Sequence, residues 1–157
     1  DVASVKALQR LDVAGKTFVV VANNQQAGDH LETCLWLFEA RHSPLVGWVS
    51  GSGGGGCSGQ IAGNPEPPQP MEVGGGSHRS GDPSEPDICT TYGKVNQPDI
   101  VTVRVTWNDG QVQEVPVVNG SYAAIRVGQF SMTRVDGLNE KGEPVFQFDQ
   151  ATGPVKQ

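Results

Sequence analysis

Charge is scarce in this chain: Asp, Glu, Lys and Arg together make up 18% of its 157 residues. Aromatic residues reach only 6%, and there are three cysteines. The longest apolar run, Phe18 to Ala22, is far too short to cross a bilayer, so no membrane span is expected. The charge that is present leans acidic, with Lys+Arg 11 against Asp+Glu 17 and a net charge of -6. Such a field repels phosphate backbones and anionic surfaces, and no basic run with interleaved aromatics offsets it. Nucleic acid is therefore not an expected partner.

Other shortages exclude particular chemistries. No two cysteines stand two to four residues apart, which removes the usual zinc clip, and the haem attachment pattern Cys-x-x-Cys-His is missing. The glycine run at Gly51 to Gly56 is followed by neither Gly-Lys-Ser nor Gly-Lys-Thr, so it is no phosphate cradle. No cofactor and no metal is expected.

Glycine and proline are abundant instead, at 21 and 11 residues. With so few charges, this is the composition of a globular β protein carrying a looped insert. The length suits one domain over 1–157, with 59–87 as a proline- and glycine-rich loop or arm within it.

Strand signals recur along the chain. Ser4 to Val13 is ambiguous in period but reads best as a strand, Ala14-Gly15-Lys16 as a turn, and Thr17 to Ala22 as a buried strand closed by a polar loop from Asn23 to Asp29. From Glu32 to Arg41, Cys34, Trp36 and Phe38 share one face and Leu35 and Leu37 the other. A short strand over Leu45 to Val49 runs into Gly51 to Gly56, where so many glycines are expected to break regular structure.

In Ile100 to Trp107, Val101, Val103, Val105 and Trp107 alternate with polar residues, and Asn108-Asp109-Gly110 is a strong hairpin signal. The apolar phase changes at Gln113-Glu114, which predicts a β-bulge there. Asn119-Gly120 marks a second turn, before strands at Tyr122 to Val127, Gln129 to Val135 and Glu143 to Phe148. Short strands joined by turn chemistry predict an all-β fold, an antiparallel β-sandwich or a partly open barrel.

Cys34, Cys57 and Cys89 allow three single pairings. Cys34–Cys57 is preferred because it would pin the glycine-rich turn to a central strand, worth roughly 3 kcal/mol on the loop-entropy model. Cys89 would then be buried, free, or bonded to another chain, and Cys57–Cys89 remains an alternative.

The strand Phe18 to Ala22, the cysteines in Thr33-Cys34-Leu35 and Gly55-Gly56-Cys57, the run Tyr92-Gly93-Lys94-Val95, the strand ending in Asp109-Gly110 and Val118-Asn119-Gly120-Ser121-Tyr122 follow one another in a recognisable order. That order resembles uncharacterised exported β-rich domains of actinobacteria and related bacteria, from about Phe18 to Val145. The resemblance implies a secreted or membrane-tethered β domain with the Cys34–Cys57 bridge, and it brings no catalytic residues. Export to the cell surface or beyond also fits the low Lys and Glu content and a chain that opens on Asp1, as after removal of a leader.

Gly55-Gly56-Cys57-Ser58-Gly59 matches a thiol nucleophile elbow for which His30, His42 or His78 could act as base. An elbow requires a following helix, and the prolines and glycine between Gln60 and Pro70 do not permit one. The acidic stretch Asp82 to Asp87, and Asp136 with Asn139 and Glu140, offer oxygens to calcium but lack the spacing of an EF-hand. Asn119-Gly120-Ser121 is a glycosylation sequon that the turn alone explains. Trp36, Trp48 and Trp107 could form an aromatic contact surface for sugars or peptides, although strand tryptophans more often pack in a core.

The expected function is therefore a non-catalytic extracellular structural, assembly or recognition module acting through β-sheet surfaces. It would work on a protein partner or by self-assembly, with an envelope glycan as a further possible ligand. The alternatives are a small secreted hydrolase with unidentified residues and a carbohydrate- or peptide-binding module.

Overall fold

The structure is a computed structural model and describes residues 5–27, 30–59, 69–78 and 86–154. It is all-β, built from antiparallel strands. Among the described residues no helix is long and apolar enough to cross a membrane. The chain divides into two compact units, Asp1–Pro68 and Gln69–Gln157, and the boundary falls inside the stretch 59–87 that the sequence suggests is an arm of a single domain.

The first unit is an antiparallel meander of four long strands, β1 (Lys6–Val13), β2 (Lys16–Ala27), β3 (His30–Ser43) and β4 (Gly47–Gly59), in the order β1-β2-β3-β4. Ala14 and Gly15 connect β1 to β2 with φ of 52° and 75°, the positive values that a two-residue hairpin needs to match the twist of its strands. Two expectations are corrected here. The polar residues Asn23 to Ala27 are not a loop but the second half of β2, paired from Asn23↔Cys34 to Ala27↔His30. β3 is long enough to offer them backbone partners, and ladder hydrogen bonds do not depend on side-chain polarity.

The glycine run, too, is strand rather than a break. β4 stays paired with β3 from Ser43↔Gly47 to Glu32↔Gly59, with one irregularity between Phe38 and Ala40 where β4 carries an extra residue. A Cβ at Gly53 would collide with the Phe38 ring, and one at Gly55 with the Trp36 ring. These rings lie over the two glycines, covering backbone that would otherwise face water and thereby offsetting the weakness of glycine in a strand.

Further along, the second unit supplies the sandwich. One sheet has the order β12-β11-β10-β7-β8 and the other β5-β6-β9. The strands are β5 (Gly74–His78), β6 (Ile88–Lys94), β7 (Thr102–Trp107), β8 (Val112–Pro116), β9 (Ser121–Val127), β10 (Met132–Leu138), β11 (Pro144–Asp149) and β12 (Gly153–Pro154). Their facing sides share one core in which Val103, Val105 and Trp107 from β7, Val135 from β10 and Phe146 from β11 meet Cys89 from β6 and Tyr122 and Ala124 from β9. Both sheets have free end strands, so neither closes into a barrel.

Turn chemistry sets these connections as the sequence suggests. Gly110 has φ of 80° in the hairpin between β7 and β8, and Asn119 and Gly120, at 52° and 72°, carry the chain from β8 across to β9 in the other sheet. The bulge expected at Gln113-Glu114 is absent: β7 and β8 pair without a register shift. The apolar phase misleads there because Val112 is exposed, while Val115 alone of the pair enters the core. β10 starts at Met132 rather than Gln129, because Gly128, at φ 120°, turns the chain first.

Part of the expected arm is also ordered structure. Met71 is fully buried and bridges Val95, and β5 pairs along β6. Close packing explains the glycines nearby, since a Cβ at Gly93 would run into the backbone carbonyl of Glu72. The acidic residues Asp82 to Glu85 lie outside the described residues.

Candidate functional site

Cross-strand partners point to the same side of a sheet. In the first unit this puts Phe18 and Val20 of β2 with Leu37 and Glu39 of β3 on one face, and all four are buried. The Glu39 carboxylate lies 2.8 Å from the Arg41 guanidinium and 3.5 Å from the Lys16 ammonium. Burial works against its ionisation, but the Arg41 hydrogen bond and the two positive charges prevail and hold the carboxyl below the ordinary glutamate range.

The opposite face carries Trp36 and Phe38 on β3, beside Val19 and Val21 on β2 and above Gly53 and Gly55 on β4. The two aromatic rings are half-buried, 6.1 Å apart and within 12° of parallel. With the glycines beneath them, the rings lie side by side along the strand. Trp36 is fixed by a 3.0 Å hydrogen bond from its Nε1 to the Asn23 Oδ1. Farther along, His42 stands directly opposite Trp48, with the rings edge to face at 5.3 Å, and the Arg10 guanidinium lies 5.8 Å from the centre of the Trp48 ring. Arg10 also donates to the Asp12 carboxylate, as does Thr17.

At one end of this strip is the disulfide. Cys34 and Cys57 face each other across β3 and β4, their Cα atoms 3.9 Å apart, and are bonded. Gln25 Nε2 donates to Cys57 Sγ at 3.2 Å. The Glu32 carboxylate and the two sulfurs lie within 4.8 Å of one another, but sulfurs committed to a disulfide are not thiolates and cannot ligate a metal as such. The same bond excludes Cys57 as a nucleophile, and Cys57 lies within β4 rather than at a strand end.

The sequence candidates separate cleanly. Trp36 and Trp48 are on one face of the same sheet, whereas Trp107 is 2% exposed in the core of the other unit. Cys89 is a free and buried thiol, with its Sγ donating to the Phe130 carbonyl at 2.6 Å and accepting from the Phe130 amide at 3.2 Å. The side chains of His30 and His78 lie outside the described residues. Asp136 pairs with Arg134, and Asn139 Oδ1 accepts from the amides of Lys141 and Glu143, so the second oxygen-rich group serves a turn.

Phe38, Arg10 and the paired glycines were not singled out from sequence. Their signal is the equal spacing of Trp36-x-Phe38 and Gly53-x-Gly55, which becomes meaningful only once the two strands are known to be neighbours. No family model matches the chain, and neither a curated protein nor a solved structure shows significant similarity to it.

Proposed function

We propose that the chain is a non-catalytic recognition module of the cell exterior, working through the aromatic face of its first sheet on envelope saccharides. The observation that carries this reading is the strip formed by Trp36 and Phe38, continued by Trp48. Rings laid flat along a strand offer π faces to a flat ligand, and the C–H groups of a sugar ring carry the positive edge that such faces attract. The strip has a polar border of Asn23, His42, Arg10 and Asp12, which suits hydroxyl groups better than it would suit an apolar peptide.

A site outside the cell is supported by the Cys34–Cys57 disulfide, since such bonds persist in oxidising compartments. The test is titration of the chain with soluble cell-wall glycan fragments and neutral polysaccharides, following tryptophan fluorescence. Binding that is lost in Trp36→Ala and Trp48→Ala, with the far-ultraviolet spectrum unchanged, is the expected result. A chain that binds none of these saccharides, or variants that bind them as well as the parent, would overturn it.

A further inference from the structure

Among the described residues both edges of the first sheet are without a neighbouring strand, and they are built differently. β1 carries Lys6, Arg10 and Asp12 and has a register irregularity between Ala7 and Gln9. Charges and bulges of this kind are how edge strands are kept from pairing with other chains. β4, the other edge, is 13 residues long and contains no charged residue and no proline. Among the described residues no strand pairs with its outer side. Its one irregularity, between Phe38 and Ala40 on the β3 side, divides it into two dissimilar halves.

Those halves complement each other. The first holds Trp48 and Val49, exposed by 59% and 39%, and follows the turn in which Leu45 and Val46 are 92% and 72% exposed. The second, Gly53 to Gly59, is nearly without side chains, and a Cβ added at Gly56 would meet nothing within 4 Å. Antiparallel pairing of two identical strands sets the first half of each beside the second half of the other, and the symmetry doubles every favourable contact. Val49 would then stand on the same side of the joined sheet as the partner's Gly56, where the backbone is open to cover. Two copies of a chain with net charge -6 repel each other, and an uncharged strand is the place where that repulsion is smallest.

From these features we infer that β4 is a self-association edge, joining two copies of this chain into one continuous sheet by antiparallel β4–β4 pairing. The inference does not rest on the saccharide reading, because the edge uses backbone groups and the strip uses ring faces.

Sedimentation of the intact chain over a concentration series tests it, with amide hydrogen exchange locating the contact. A monomer–dimer equilibrium with exchange protection along Gly47–Gly59 is expected. Gly56→Lys places like charges within the paired edge in both copies and should weaken dimerisation roughly tenfold. Ser50→Lys, at an exposed position in the other half, should do the same and covers the case that Gly56→Lys fails to fold. Ala7→Lys on β1 should leave the equilibrium unchanged. A chain that stays monomeric throughout, or a dimer indifferent to both lysines on β4, overturns the proposal.

Discussion

The two units solve the problem of burying a β-sheet in opposite ways. In Gln69–Gln157, two sheets turn their apolar sides inward, and Trp107, Tyr122, Val103, Val105 and Val135 vanish from the surface. In the four-stranded sheet of the first unit, Trp36 and Phe38 stay half-buried and Trp48 exposed, resting on strands of glycine and short side chains. Trp107 and Tyr122 of the second unit fill its core, whereas Trp36, Phe38 and Trp48 of the first keep part of their rings at the surface. The difference teaches that composition alone does not say what a tryptophan is for. What lies across from it on the neighbouring strand does.

Four variants would break or sharpen that contrast. The largest loss is expected for Trp107→Ala, which empties a packed site and should cost about 3–5 kcal/mol, read as a lower denaturation midpoint for the second unit. Replacing both cysteines of the first unit, Cys34→Ser with Cys57→Ser, should cost roughly 3 kcal/mol by releasing the glycine strand in the unfolded chain. The matching measurement is denaturation with and without a reductant, and equal midpoints for the parent protein would contradict it.

Glu39→Gln should cost about 1–2 kcal/mol by discarding charge-assisted hydrogen bonds. Because the folded carboxyl titrates below its ordinary value of 4.5, its contribution is present above that value and is lost as pH falls through the lower folded value. The parent should therefore lose stability in acid more steeply than the glutamine variant, and parallel curves would remove Glu39 from the account. The smallest effect on stability belongs to Trp48→Ser, within about 0.5 kcal/mol as for an ordinary surface position. Its effect should appear instead in saccharide titration.

Much of the architecture was legible in the residues. The all-β class, the hairpin at Asp109-Gly110, the crossing at Asn119-Gly120 and the Cys34–Cys57 bridge follow from alternation, turn chemistry and strand placement. The failures share one cause. Reading Gly51 to Gly56 as a break, Asn23 to Ala27 as a loop and Gly74 to His78 as part of an arm treated each segment in isolation. A strand is stabilised by its neighbours, and the rings that lie over Gly53 and Gly55 come from residues far along the chain. The bulge expected in β8 failed for the converse reason, since a valine at a strand end can be exposed without shifting the ladder. Of the candidate site, Trp36 and Trp48 were visible as aromatic positions, but their common face and Phe38's place between them depend on the pairing of β3 with β4.

The fit of the Trp36 and Phe38 rings onto Gly55 and Gly53 also fixes which sequence changes can be inherited separately. Enlarging either glycine leaves no room for the ring above it, and shrinking either ring strips the cover from the glycine below. Each position is thus a lock on its opposite number. Descendants of this chain would be expected to alter the two members of a pair together, a small residue and a large one exchanging sides, long before they altered one alone.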